Sequence, residues 1–135
     1  MQITVNLWAV LVAAIVHMAV GFFWYGPLFG KTWKHLMGFT NESMKHMKLT
    51  PHQSIAMGFV TAFIMAYVLG YLGLLLGVFG VAGAWKLAFW MWLGFLVTNT
   101  ASSYIWEGKP FKLFLLNASA QLVSLFLMAL VLVTW

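Results

Sequence analysis

The sequence contains no cysteine, no arginine and no aspartate, and charged residues make up only 7% of its 135 residues. Without cysteine, the chain has no disulfide bond, thiolate zinc site or cysteine nucleophile. So few charged side chains could not cover the surface of a soluble domain, because polar groups must face water. Hydrophobic residues instead make up 64% of the chain, against about 45–50% in an average soluble protein. The composition therefore indicates an integral membrane protein.

Four long stretches of the sequence are almost free of charge, and each has the roughly 20 apolar residues that cross a bilayer. Gly and Pro separate these stretches: Gly26-Pro27 is predicted to end the first helix, and the glycines at 77, 80 and 83 to form a turn before the third. The pattern predicts an all-α fold, a bundle of four transmembrane helices in one domain over residues 1–135. The predicted spans are residues 4–25, 51–78, 83–106 and 110–133, and residues 30–50 connect the first two.

The seven lysines are distributed unevenly between the predicted connections. Four lie between the first two spans and two between the last two, whereas the opposite side has only Lys86. Positive charge stays on the cytoplasmic side. Both termini are therefore predicted to lie outside the cytoplasm, in a multi-pass protein of the cell (inner) membrane. The lysines are expected to contact anionic lipids rather than nucleic acid.

Residues 30–50 are predicted to be the cytoplasmic connection, and their apolar positions allow two interpretations. The spacing of Trp33, Leu36 and Met37, and then of Met44 and Met47, fits short helical turns lying on the bilayer surface. A solvated loop accounts for so short a segment as well.

Similar residues end the first and third predicted spans on the same side of the membrane. These interface residues are Trp24, Tyr25, Gly26 and Pro27 in the first span, and Trp106 and Glu107 in the third. The likeness indicates either two parallel repeats, each a helical hairpin, or the ordinary chemistry of helix ends at an interface. Glu107 either pairs with nearby lysines or guards a cytoplasmic entrance.

A layer of polar side chains lies inside the predicted spans. Such side chains are costly in hydrocarbon and tend to face the interior of a bundle. The candidate polar-core or ligand-binding residues are His17, Thr61, Asn99, Ser103, Asn117 and Gln121. We expect His17 to be a neutral imidazole that bonds Asn99 or Asn117. The layer is either a ligand site or a set of hydrogen bonds that join the helices.

The run from Gly21 to Trp33, GFFWYGPLFGKTW, resembles the signature of the domain of unknown function 1761 family, small membrane proteins of bacteria and fungi. The later residues Asn99, Trp106-Glu107, Pro110 and Asn117 also look like the pattern of that family. The resemblance covers essentially the whole chain. It implies a four-helix integral membrane protein and brings no activity.

Three functions remain open from the sequence. The first is transport or permeation of a small solute through a homo-oligomer, with a possible small-molecule ligand at the polar layer. The second is a structural or accessory subunit that packs against a larger membrane partner, because no charged side chain lies deep in a span. The third is a lipid-modifying enzyme, with His17 as base and Asn99 or Asn117 as oxyanion donor. For His17, no serine, cysteine or carboxylate partner is evident at the same depth. The sequence favours a protein that is not an enzyme and has no metal, cofactor or catalytic residue.

Overall fold

A computed structural model describes residues 3–40 and 51–135, and within those ranges the chain forms five helices. They are α1 (Leu7–Phe23, continued by a wider turn over Trp24–Leu28), α2 (Gly30–Met37), α3 (Pro51–Leu75), α4 (Gly80–Met91, continued to Ile105) and α5 (Phe111–Thr134). All except α2 are long and apolar enough to cross a membrane. The predicted all-α fold with four transmembrane helices is therefore confirmed. The part of the connection that holds Met44, Met47, Lys45 and Lys48 lies outside the described residues.

The first span begins and ends differently from the prediction. It begins at Leu7 because the Asn6 side chain accepts the backbone N–H groups of Trp8 (3.0 Å) and Ala9 (3.4 Å), as an N-cap does. Pro27 does not stop the helix. The helix widens instead, and the N–H of Phe29 donates to the carbonyl of Trp24 at 2.9 Å. This π-helical turn accommodates a proline, which lacks an N–H and would clash with a carbonyl in α geometry.

Helix α4 begins earlier than predicted and contains a second wide turn. Gly77 and Gly80 have φ angles of 67° and 72°, which favour glycine, so the chain has already turned when α4 begins at Gly80. Gly83 is therefore helical rather than part of the turn. Residues Trp92–Val97 form a π-helical segment, and α-helical turns follow to Ile105. This segment was not anticipated from the sequence.

Helix α5 packs against α1, α3 and α4, and α1 also packs against α3. The apolar core lies in one half of the bundle, where small side chains let the helices approach closely. The fully buried alanines that belong to this core are Ala13, Ala66, Ala84, Ala88 and Ala129. In the other half, residues 52–57 at the start of α3 are all exposed, so this part of α3 packs little against the other described helices. The bundle is thus tightly packed at one end and open at the other.

The open end is also the more positively charged end. We call it the lysine-rich end, because α2 contributes Lys31 and Lys34 there, the turn before α5 contributes Lys109, and the first turn of α5 contributes Lys112. At the opposite end, Lys86 lies in the second turn of α4. The predicted imbalance in lysine is therefore present between the two ends of the folded bundle.

Candidate functional site

Near the middle of α5, a hydrogen bond joins this helix to α1. The Nδ1 atom of His17 lies 2.5 Å from the Oγ atom of Ser124. Ser124 is 4% exposed, and its hydroxyl also contacts the sulfur of Met128 at 3.8 Å. The sequence predicts that His17 bonds Asn99 or Asn117, and it indicates no serine partner at the depth of His17. The structure corrects both points, because a serine on the polar face of α5 is the partner.

The π-helical turn of α1 carries two further side chains to α5. The Tyr25 hydroxyl donates to Oδ1 of Asn117 at 2.7 Å, and the Trp24 indole N–H donates to the backbone carbonyl of Leu116 at 3.2 Å. These interface aromatics are both half-buried. They fasten the end of the first span to α5 instead of only marking the membrane surface.

Side chains of α4 also contact this part of α5, from the side opposite to α1. The Gln121 amide contacts the Thr100 hydroxyl through both polar atoms, at 3.0 Å from Nε2 and 3.1 Å from Oε1. The Trp92 indole N–H donates to the backbone carbonyl of Ala118 at 2.8 Å. An indole from α1 and an indole from α4 therefore hold α5 at nearly the same level.

A cavity of about 160 Å³ lies between α1 and α5, large enough for several water molecules. Its lining consists of His17, Val20, Gly21, Tyr25, Ala120, Gln121 and Ser124. We use the term polar cluster for the side chains of His17, Tyr25, Thr100, Asn117, Gln121 and Ser124. The cluster offers hydrogen-bond donors and acceptors but neither a carboxylate nor an ammonium group.

The sequence model of one protein family matches almost the entire chain. A model described as "Protein of unknown function (DUF1761)" matches residues 8–133. The chain belongs to the DUF1761 family. No curated protein and no solved structure matches it. The matched region of this DUF1761 protein includes the whole polar cluster, and the function must be argued from the geometry of that cluster.

In this DUF1761 protein, we call the contact between α1 and α5 the seam. Apolar side chains fill the seam on the side of the cavity that is farther from the lysine-rich end. Val10, Ala13 and Met128 are fully buried there and belong to one apolar cluster. Past this closure, at the end opposite the lysines, a second cavity of about 170 Å³ includes Thr4 and Asn6 in its lining. Residues of α3 also line this second cavity, so it lies between α1, α3 and α5.

Three of the six predicted polar-core residues lie outside the polar cluster of the DUF1761 protein. Thr61 is exposed, and its hydroxyl donates to the Gly58 carbonyl of the same helix at 2.8 Å. The hydroxyl of Ser103 likewise donates within its own helix, to the Thr100 carbonyl at 2.9 Å. Asn99 is exposed, and its side-chain amide has no hydrogen-bond partner among the residues that the structure describes. The structure brings together only His17, Asn117 and Gln121.

The remaining interface residues lie at the lysine-rich end. Gly26 and Pro27 are exposed within the π-helical turn of α1. Trp106 is 83% exposed, and Glu107 is exposed in the turn between α4 and α5. Within residues 3–40 and 51–135, no three His, Asp or Glu side chains come together as metal ligands.

Three members of the cluster were missing from the predicted polar-core set: Ser124, Thr100 and Tyr25, the last of which was predicted only as an interface residue. For Ser124 a signal existed, since Asn117, Gln121 and Ser124 follow one another at i, i+4 and i+7 on one helical face. For Thr100 there was none, because its direction depends on the π-helical segment that precedes it.

Proposed function

We propose that this protein binds a small, uncharged polar solute in the polar cluster and passes it across the cell membrane. The observation that supports this proposal is the cavity between α1 and α5, which His17, Tyr25, Gln121 and Ser124 border inside membrane-spanning segments. Polar side chains are expensive at this depth. Around a cavity, they can replace the hydrogen bonds that a solute loses when it leaves water.

The chemistry of the lining favours an uncharged solute. A bare ion in hydrocarbon needs an opposite charge or many dipoles close by, and the cavity lining has no carboxylate or ammonium group. Imidazole, phenol, amide and hydroxyl groups can each bond a neutral polar molecule. Most carriers of protons and cations use charged side chains deep in the membrane, and the spans of this chain have none at that depth.

We further propose that the working unit contains several copies of the chain. The lining of the cavity comes from α1 and α5 alone, and Val10, Ala13 and Met128 close the seam on one side. A continuous path across a bilayer about 30 Å thick needs additional walls. A second copy packed beside this seam could supply them.

A liposome experiment tests transport and the role of His17 together. Purified protein is reconstituted, and stopped-flow light scattering follows the entry of glycerol and of urea. We expect faster entry than in protein-free liposomes, and we expect His17→Ala to bring the rate down toward the protein-free value. Thr61→Ala is the matched control, because Thr61 lies in a span but outside the cluster; its rate should equal that of the wild type.

Two results would contradict the proposal. If wild-type protein leaves the permeability to both probes unchanged, transport of this solute class is wrong. If His17→Ala and Thr61→Ala behave alike, the polar cluster has no part in any flux that is measured.

A second candidate function, that of an accessory subunit, rests on Asn99. This amide is exposed in the third span and has no hydrogen-bond partner in the described part of the chain. An unsatisfied amide facing hydrocarbon is costly, so another helix is expected to cover it. That helix belongs either to a second copy, as in the first proposal, or to a larger membrane protein.

Because the chain has no cysteine, a single introduced cysteine distinguishes a second copy of the chain from a larger membrane protein as the partner that covers Asn99. In native membranes under oxidation, Asn99→Cys should give a covalent homodimer if copies meet there. Val60→Cys, 56% exposed on α3, is the control and should stay monomeric. An uncrosslinked Asn99→Cys protein that co-purifies with a stoichiometric partner after gentle solubilisation favours the accessory subunit.

A further inference from the structure

A groove of about 370 Å³ lies at the lysine-rich end, apart from the polar cluster. It runs between α2, the π-helical turn of α1 and the first turns of α5. The residues that line it are Trp24, Phe29, Thr32, Leu36, Lys112, Leu115, Leu116 and Ser119. Most of this lining is apolar or aromatic, and Lys112 is its one charged side chain.

The groove changes character along the axis of α5. Lys112 is the second residue of α5, at the membrane-surface end of the span. Ser119 lies seven residues further along, about 10 Å deeper at 1.5 Å per residue. Leu115 and Leu116 lie between the two. A cation therefore stands at the surface, and an apolar wall continues from it into the hydrocarbon region.

The opposite wall is held in place by aromatic packing. The Trp33 ring of α2 meets Tyr25 edge to face at 5.6 Å and Phe39 at 5.4 Å. This packing fixes α2 beside the end of α1, where Thr32 and Leu36 line the groove. Lys31 and Lys34 are exposed on the same short helix, so this end of the bundle carries positive charge beyond that of Lys112.

Some polar groups of the groove already have a hydrogen-bond partner within the protein, and others do not. The Ser119 hydroxyl donates to the Leu115 carbonyl at 2.7 Å, and the Trp24 indole donates to the Leu116 carbonyl. The side chains of Lys112 and Thr32 have no hydrogen-bond partner among the described residues. A ligand at the surface end would therefore find a free cation and a free hydroxyl.

We propose that this groove binds an anionic phospholipid. The phosphate interacts with the Lys112 ammonium and the Thr32 hydroxyl, and an acyl chain lies along Leu115, Leu116 and the Trp24 ring. The apolar inner part excludes a free phosphate ion as the preferred ligand, because an ion would leave that surface unfilled. Lys112 in the lining and the further lysines of this end favour an anionic over a zwitterionic headgroup, since the latter brings its own cation to the surface.

Native mass spectrometry of the purified protein in detergent tests this proposal. Phosphatidylglycerol and phosphatidylcholine with identical acyl chains are titrated separately. A lysine near an anionic lipid gives about a fivefold preference, so wild-type protein should bind phosphatidylglycerol about fivefold more tightly. Lys112→Gln should remove most of that preference, and Lys112→Arg should keep it. Lys86→Gln, an equal loss of charge at the opposite end, should also keep it.

Two further arms test the apolar part of the groove. Ser119→Trp places a bulky ring in the inner part and should weaken the binding of both lipids. An excess of glycerol 3-phosphate, which has the phosphate but no acyl chain, should not displace bound phosphatidylglycerol. Circular dichroism and gel filtration of each variant verify that the fold is retained.

The proposal is overturned if wild-type protein binds the two lipids equally, or if Lys86→Gln loses as much preference as Lys112→Gln. Displacement by glycerol 3-phosphate would identify a site for free phosphate compounds instead. Because lipid retention is measured in detergent without any flux, its outcome is independent of whether the protein transports a solute.

Discussion

His17 and Ser124 connect two helices through one hydrogen bond inside membrane-spanning segments. Hydrogen bonds between membrane helices contribute about 0.6 kcal/mol on average and at most about 1.7 kcal/mol. The bond from His17 to Ser124 is short, at 2.5 Å, and Ser124 is almost fully buried. We therefore expect a contribution within that range.

A double-mutant cycle measures this contribution directly. We expect His17→Ala and Ser124→Ala each to lower the free energy of unfolding, with a coupling energy of about 0.6–1.7 kcal/mol between them. Unfolding by sodium dodecyl sulfate in mixed micelles, followed by circular dichroism, gives the values. Ser119→Ala is the control and should change stability little, because Ser119 bonds only its own helix. A coupling energy near zero would show that the two side chains do not interact.

At the residue scale, sequence periodicity predicted one side of the site. The stripe of Asn117, Gln121 and Ser124 is visible from spacing alone, because α5 is regular throughout its length. Their partners on other helices could not be predicted in the same way. Ser124 meets His17, and Gln121 meets Thr100. Such pairs depend on how each helix is rotated about its axis, which the sequence of one helix does not fix.

At the scale of elements, the two π-helical turns determine which side chains reach α5. A π-helical turn holds one more residue than an α-helical turn and so rotates all later side chains by about 100°. A regular helix that continued the buried face of Ala84 and Ala88 would direct Asn99 inward. With the wide segment Trp92–Val97 present, Thr100 takes that direction, and Asn99 is exposed.

The turn between α1 and α2 depends on a close backbone approach at Gly30. A Cβ atom at this position would lie 2.8 Å from the backbone carbonyl oxygen of Tyr25, and backbone cannot move aside as a flexible side chain can. We expect Gly30→Ala to destabilise the protein by about 1–3 kcal/mol and to raise the mobility of α2. The same unfolding titration, together with proteolysis in the connection after α2, measures both effects.

Gly26→Ala is the matched control for this prediction. Gly26 lies in the same turn, and a Cβ atom there would have no neighbour within 4 Å. Its substitution should leave both stability and proteolysis close to wild type. Equal effects of the two substitutions would show that the close approach at Gly30 does not determine the stability of the turn.

At the scale of the whole molecule, packing and polarity are divided between the two halves of the bundle. Alanines bring the helices together in the half that contains the apolar core. The polar cavity and the proposed lipid groove lie in the other half, where the start of α3 is exposed. The apolar core and the two proposed binding regions therefore occupy different halves of the bundle.

The charge difference between the two ends predicts how the molecule is inserted. The lysine-rich end should face the cytoplasm, with both termini outside. In intact cells, a membrane-impermeant maleimide should label Lys86→Cys, and it should label Lys109→Cys only after lysis. The absence of native cysteine makes each signal specific. Labelling of Lys109→Cys in intact cells, with Lys86→Cys protected, would reverse the orientation and contradict the prediction.

The sequence by itself determined that this protein lies in a membrane, that it has four apolar helices, and that its two ends differ in charge. These properties are local, because they depend on the composition of each segment and on the Gly and Pro residues between segments. Only the tertiary structure decided that Ser124 and Thr100 join the polar cluster while Thr61 and Asn99 do not. The reason is that rotation and tilt bring side chains together, and the wide segment Trp92–Val97 changed that rotation without leaving a pattern in the sequence.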